Sequence, residues 1–320
     1  MTTDDEALPD GLGSLAGVNA PQLPEPLPAP VTDTHCHLDM VRGDKITPTG
    51  PHAGWDGAER ALAQAAAVNV TRVLQVGTDV RGSTWAIEAA DRFDNVVASV
   101  AIHPTDAAKL AERGGTSANT EGLRAVSRRE MGELDGALAE IDRLAGSSDR
   151  VRAIGETGLD FYWIGPGVGR KAQEHSFRAH IEMARRHGLA LAIHDRDAHE
   201  DVLRVLADAQ LPDRVIFHCY SGDAGMASHC AERGWYLSFA GPLTFKNAPA
   251  LREALAAVPL SQVLVETDAP FLTPHPHRGK PNASYLMPHT VRTIADVVGA
   301  DVGTVCEALQ RNTERALGDW

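Results

Sequence analysis

From residue 31 onward, short apolar runs recur along the chain, each about the length of a β-strand and rich in β-branched side chains. They are Val31–Cys36, Arg72–Gly77, Val96–Ile102, Val151–Glu156, Leu189–His194, Arg214–His218, Trp235–Ala240 and Gln262–Thr267. Runs of this kind suit strands buried on both faces, as in parallel sheets. Most of the segments between them have helical character. Met131, Leu134, Leu138, Ile141 and Leu144 recur at three and four residues and so share one helix face. Gln173–His187 gathers Phe177, Ile181 and Ala184 in the same way, and Ala58–Val68, Glu200–Ala209 and Ala248–Ala257 fill other gaps. The stretch Tyr285–Leu317 predicts two packing helices. Eight strands alternating with helices over residues 31–320 predict a single α/β domain, a (β/α)8 TIM-type barrel. A doubly wound open sheet is the competitor, but no GxGxxG follows a first strand to support it.

Two segments stand outside this pattern. Residues 1–30 begin with Asp4, Asp5 and Glu6, pass through Gly11, Gly13 and Gly17, and end in the proline-spaced run Pro21 to Pro30. That composition buries too little apolar surface to offset the entropy of ordering, so a disordered N-terminal tail is expected. Ala111–Arg128 is polar, contains glycine and is weakly patterned, which predicts a surface insertion before the fourth strand.

Charge and cysteine content narrow the setting. A net charge of −13 repels nucleic acid and acidic membranes at long range, so a phosphate-bearing substrate needs a local basic patch or bound cations. The four cysteines, Cys36, Cys219, Cys230 and Cys306, show no CxxC or regular spacing. Residues 1–30 lack the basic start and apolar stretch of a secretory signal. No apolar run is long enough to cross a bilayer. The expectation is a cytoplasmic globular protein with free thiols.

The chemistry gathers where the strands stop. His35 and His37 alternate at the end of the first strand and face one side together, with Cys36 on the other. The fourth strand ends in Glu156, the fifth in His194, the sixth in His218, and the eighth in Glu266-Thr267-Asp268. For any one of these, a rim residue meeting water is an adequate reading. Their recurrence at the C-terminal ends of five strands, where barrel enzymes build active sites, points to a metal centre. Four histidines and two carboxylates exceed the needs of one tetrahedral Zn2+. They suit two divalent cations bridged by a carboxylate and a water or hydroxide.

In order along the chain, Asp33-Thr34-His35-Cys36-His37-Leu38-Asp39, Ser99-Val100-Ala101-Ile102-His103-Pro104 and Ile154-Gly155-Glu156-Thr157-Gly158-Leu159-Asp160 are followed by Ile193-His194-Asp195-Arg196-Asp197-Ala198. Phe217-His218-Cys219-Tyr220-Ser221-Gly222, Glu266-Thr267-Asp268-Ala269-Pro270 and Arg278-Gly279-Lys280-Pro281-Asn282 complete the set. From about Val31 to the C-terminus the chain resembles the TatD-type metal-dependent deoxyribonucleases of the amidohydrolase superfamily. The resemblance implies His35, His37 and Asp268 around one metal, His194 and His218 on the other, and Glu156 touching or bridging both. It implies catalytic roles for Glu156 and for Asp268, the latter taking a proton from the attacking water. The implied activity is hydrolysis of phosphodiester bonds in DNA by a two-metal-activated water, often as an exonuclease acting on single strands or ends. Mg2+, Mn2+ and Zn2+ all remain open as the metal.

The chain departs from the family pattern in its N-terminal tail, in the Ala111–Arg128 insertion and in Pro281, which could bend the motif after the eighth strand. Softer candidates face the substrate. His103 suits a phosphate or sugar contact as well as a structural role. Lys246, Arg278 and Lys280 follow strands seven and eight and could hold a phosphate, although exposed basic residues are more often only solvated. Tyr162 and Trp163 could stack on a base, with loop packing the commoner role. Asp160 reads as a loop hydrogen-bonder. The competing activity is hydrolysis of a carboxyl-type bond, such as an amide, lactone or aminoacyl-tRNA ester. Superfamily members often bridge their metals with a modified lysine on strand four, and Glu156 at that position favours the nuclease branch. A non-catalytic metal-binding or scaffold protein is the third reading, which the full ligand set disfavours.

Overall fold

The computed structural model describes residues 21–42, 45–46, 55–114, 131–318 and 320. Eight parallel strands pair in chain order. They are β1 (Val31–Cys36), β2 (Val70–Val76), β3 (Val96–Val100), β4 (Val151–Asp160), β5 (Ala190–Arg196), β6 (Val215–Phe217), β7 (Tyr236–Phe239) and β8 (Val263–Val265). The return from β8 to β1 is a single parallel bridge between Cys36 and Ala269 rather than a ladder. Asp268 N–H donates to His35 O at 2.9 Å and His37 N–H to Ala269 O at 2.8 Å. Below them, Thr267 N–H donates to Asp33 Oδ1 at 2.9 Å, and Thr34 Oγ1–H to Val265 O at 2.9 Å. This seam closes the (β/α)8 barrel and sets Asp268 beside the two histidines of β1.

The ring of strands separates two apolar layers. Leu74, Val76, Val97, Ala153, Ala190, Ile216 and Leu264, at alternate strand positions, fill the barrel interior with Ala316 and Leu317. The intervening positions, including Val73, Val96, Ile154 and Leu191, face the helices in the larger outer cluster. The helices are α1 (Trp55–Ala67), α2 (Val80–Arg92), α3 (Pro104–Gly114), α4 (Gly132–Ala145), α5 (Val168–His187), α6 (His199–Ala207), α7 (Ala224–Glu232), α8 (Pro249–Ala256), α9 (Met287–Val298) and α10 (Val302–Leu317). Among the described residues no helix is long and apolar enough to cross a membrane. All four cysteines are free.

Several boundaries differ from the sequence expectation. The expected tail ends at residue 30, yet residues 21–30 lie on the barrel: Leu27 is 1% exposed, its N–H donates to Val68 O at 3.1 Å, and Tyr285 Oη–H reaches Pro21 O at 2.9 Å. The prolines leave carbonyls open to donors from the barrel and stiffen the stretch, which lowers the cost of laying it down. The rest of the expected tail, residues 1–20, lies outside the described residues. The expected insertion begins inside α3, where Ala111 is buried; residues 115–128 lie outside the described residues. Helix α2 has a weak apolar stripe because most of its buried face is Ser83, Ala86, Ala89 and Ala90, with Trp85 and Ile87 its only large apolar residues there. Small residues let it sit close to the sheet, and Asp79 Oδ1 caps it by accepting Gly82 N–H at 2.7 Å.

Candidate metal centre

At the C-terminal mouth of the barrel, β4 runs four residues past the expected end at Glu156, reaching Asp160. Its pairing with β5 slips between Ile154 and Thr157, so the strand bulges at Glu156. A bulge re-aims the side chain it carries. Two residues on, Gly158 adopts φ 139°, and a Cβ there would stand 2.1 Å from His194 O. Only glycine permits that approach of β4 to β5, and it brings His194 against Glu156.

Glu156 is the hub. Its Oε2 faces His35 Nε2 at 3.3 Å and His37 Nε2 at 4.0 Å, while its Oε1 faces His194 Nδ1 at 2.5 Å, His218 Nε2 at 2.9 Å and His103 Nε2 at 3.4 Å. Asp268 Oδ1 stands 3.4 Å from His37 Nε2 and 3.7 Å from His35 Nε2. The six residues expected as ligands are therefore linked, His35, His37, His194 and His218 directly to Glu156 and Asp268 to it through His35 and His37. The rings of His35 and His218 stack at 3.8 Å.

Protonation follows from this crowding. Burial and the His218 charge hold His35 below the ordinary histidine range. Burial also opposes protonation of His37, but Asp268 outweighs it and raises the ring to about 9. His194 is raised to about 9 in the same way, by Asp160 and Glu156. Burial pushes the Glu156 carboxyl up, yet the surrounding imidazoles, His218 and His103 foremost, hold it well below the carboxylate range.

Both ring nitrogens of His35, fully buried, lack a hydrogen-bond partner, as does Glu266 Oε2. Buried polar atoms are nearly always paired, and a neutral imidazole with a free nitrogen is a metal ligand in waiting. The donor set of imidazoles and carboxylates fits divalent cations, and the described residues offer three overlapping groups: His35–His37–Glu156, His103–Glu156–His194 and His35–His218–Glu266.

The sequence reading gave Glu266 no role. Its Oε1 accepts from His218 Nδ1 at 2.9 Å and from Cys219 N–H at 2.8 Å, fixing that imidazole with Nε2 toward Glu156. A signal existed: Leu264 faces the interior, so alternation carries Glu266 and Asp268 inward too. Asp160 does serve its loop, with Oδ1 accepting Trp163 N–H at 2.9 Å, but its Oδ2 also faces His194 Nε2 at 3.1 Å. His103 joins the cluster, with its Nδ1 toward Thr105 Oγ1 at 2.8 Å.

A cavity of about 650 Å3 opens above the cluster and is lined by His37, His103, Glu156, His194, His218 and Asp268 together with Trp163, Arg196 and Phe271. Lys246, Arg278 and Lys280 are not among the lining residues. Arg278 stacks its guanidinium on Phe245 at 4.4 Å, and Lys246 and Lys280 are exposed. The motif containing Pro281 is pinned by Asn282, whose Nδ2 donates to Thr267 O at 2.8 Å and Phe271 O at 2.5 Å.

A family model described as TatD related DNase matches residues 32–318. The chain belongs to the TatD family. The relative from Mycobacterium tuberculosis named TatD is 39% identical, covering 90% of this chain and 98% of its own. YabD of Bacillus subtilis is 32% identical, covering 88% and 97%. Both names describe uncharacterized metal-dependent hydrolases. The crystal structure of the TatD homologue YjjV from Escherichia coli shares the fold with a TM-score of 0.74 at 22% identity, covering 91% of this chain and 98% of that one. In this TatD-family chain the matched segment contains every member of the histidine–carboxylate cluster.

Proposed function

We propose that this protein is a metal-dependent hydrolase of phosphodiester bonds in DNA, removing nucleotides from single-stranded ends with two divalent cations in its centre. The observation that carries the reading is the division of labour at Glu156, whose two oxygens face different histidine sets. One carboxylate presented to two sets of ligands is the arrangement that a bridged pair requires. In this reading His35, His37 and Asp268 hold one cation, His194 and His218 the other, and Glu156 both.

Bound divalent cations supply Lewis acidity, lowering the pKa of water and offsetting phosphoryl charge. The chain's own residues do the rest. Asp268 Oδ1 accepts the proton of the attacking water: burial raises its carboxyl, but the His37 hydrogen bond and the charges of His218 and His37 outweigh burial and keep it ionised. Glu266 holds the His218 ring in one orientation, as orienting carboxylates do in metal sites. Against a net charge of −13, a phosphate reaches this cavity only where cations and a local basic group receive it. The family description as TatD related DNase agrees with this substrate class.

The test compares end-labelled single-stranded DNA with an aminoacyl ester and a simple amide, each with Mg2+, Mn2+ or Zn2+. Stepwise, metal-dependent shortening of the DNA with both carboxyl substrates intact is the expected result. Cleavage of the ester or amide with the DNA untouched would assign the centre to the carboxyl-type branch.

A further inference from the structure

The cavity mouth has its own architecture above the metal cluster. Trp163 is 65% exposed and Tyr162 56%, two large aromatic side chains set side by side at the surface. They follow β4 directly and meet edge to face at 4.8 Å. The Arg196 guanidinium, at the end of β5, lies over the Tyr162 ring at 4.1 Å and 5.7 Å from the Trp163 centroid. Arg196 is the sole lysine or arginine among the residues lining the cavity. Among the described residues it has no carboxylate within ion-pair distance, while nine other described arginines have acid partners, Arg72 on β2 and the remaining eight on helices.

A guanidinium stacked on a ring keeps its in-plane N–H donors free, the geometry that suits a phosphate. Phe271, 41% exposed, lines the same cavity from beyond β8. In an eight-stranded ring β4 and β8 lie opposite each other, so aromatic surface flanks the mouth on two sides with the ligand cluster between. The aromatic loop is also tied to the centre: Asp160 takes Trp163 N–H on one oxygen and faces His194 on the other.

We propose that Arg196, Tyr162 and Trp163 form a subsite that grips a single-stranded nucleic acid beside the scissile bond, Arg196 on a flanking phosphate and Trp163 against the adjoining base. The proposal rests on the phosphodiesterase reading above and specifies how that substrate is held. A cavity of about 650 Å3 has room for unpaired nucleotides, and stacking on a rim aromatic takes any base, because every base has a π-face.

The test uses the full-length, metal-loaded protein and two phosphodiesters: a short single-stranded DNA, and bis(p-nitrophenyl) phosphate, which has neither base nor sugar. Trp163→Ala is expected to raise KM for the DNA about tenfold, from the ~1–3 kcal/mol that one stacked base contributes. Its effect on the small diester is expected to be several-fold weaker. Arg196→Met is expected to raise KM for the DNA as well and to flatten the dependence of log KM on log salt, as loss of a phosphate contact does; Arg196→Lys restores part of that dependence. If both variants shift the two substrates equally, or shift neither, the subsite does not exist while the phosphodiesterase reading stands. If the wild-type protein cleaves neither diester, that reading fails and the subsite falls with it.

Discussion

His180, on α5 against β4, and His35, at the barrel mouth, are both fully buried, yet their surroundings have opposite character. His180 is packed as a neutral ring: Nε2 accepts Ile102 N–H at 3.2 Å, Nδ1 lies 2.8 Å from Ser176 O, and burial takes its pKa down to about 4. His35 has no hydrogen-bond partner for either nitrogen, although its Nε2 faces the carboxylates of Glu156 and Asp268 and its ring stacks on His218. Burial is therefore not what marks a functional histidine here. An unpaired buried polar atom costs about 1–3 kcal/mol, a cost that a bound cation would offset at the mouth and that hydrogen bonding avoids beneath the sheet.

The comparison can be broken most severely at Glu156. Glu156→Gln is expected to reduce DNA hydrolysis by a factor on the order of a thousand with the circular dichroism spectrum unchanged; activity within tenfold of wild type would remove the bridging role. One layer out, Glu266→Gln is expected to weaken metal binding or activity by about 10–100-fold, the usual effect of losing an orienting partner. Calorimetric titration with Zn2+ measures it, and unaltered affinity would show that His218 needs no such support.

His180→Leu tests the other side. It should lower stability by about 1–3 kcal/mol, from the unpaired Ile102 N–H, and leave metal content at the wild-type level. Loss of metal together with stability would erase the distinction between the two histidines. The pH dependence has a defined sign. His180 has a depressed folded-state pKa, so the unfolded chain binds its proton first as pH falls. Its contribution is complete above about 6.5 and is lost as pH drops toward about 4. Denaturant midpoints across that window should fall in the wild type and fall less steeply in His180→Leu. The smallest effect is expected from Lys246→Ala, Arg278→Ala and Lys280→Ala. These residues do not line the cavity, and each change should alter kcat/KM on DNA by less than about twofold, as for solvated surface charges. A tenfold loss in any of them would extend the substrate path beyond the mouth.

Much of this was legible in the sequence because a barrel converts strand order into geometry. Once eight apolar runs are seen to end in ligand-type residues, parallel pairing brings His35, Glu156, His194 and His218 to the same end without further information. Asp268 follows from the same logic, two residues beyond Glu266 on one parity. What resisted reading depends on backbone irregularity or on small residues. The slip in β4 pairing carries the strand on to Asp160, and no side-chain pattern announces it. Helix α2 packs through alanines and Ser83, whose periodicity carries little hydrophobic contrast. Residues 21–30 dock through buried Pro21 and Leu27, with Leu23 and Ala29 against the core, and through carbonyl groups, which composition does not reveal. Arg196 sits inside a motif already noticed, yet only its place in the cavity wall separates it from other exposed arginines.

Crystals equilibrated with Mn2+ or Zn2+ and measured at the metal absorption edge address the proposed two-cation centre directly. Two anomalous peaks about 3.5–4 Å apart, one beside His35, His37 and Asp268 and the other beside His194 and His218, with Glu156 between them, are the expected result. A single peak, or peaks away from Glu156, would contradict it.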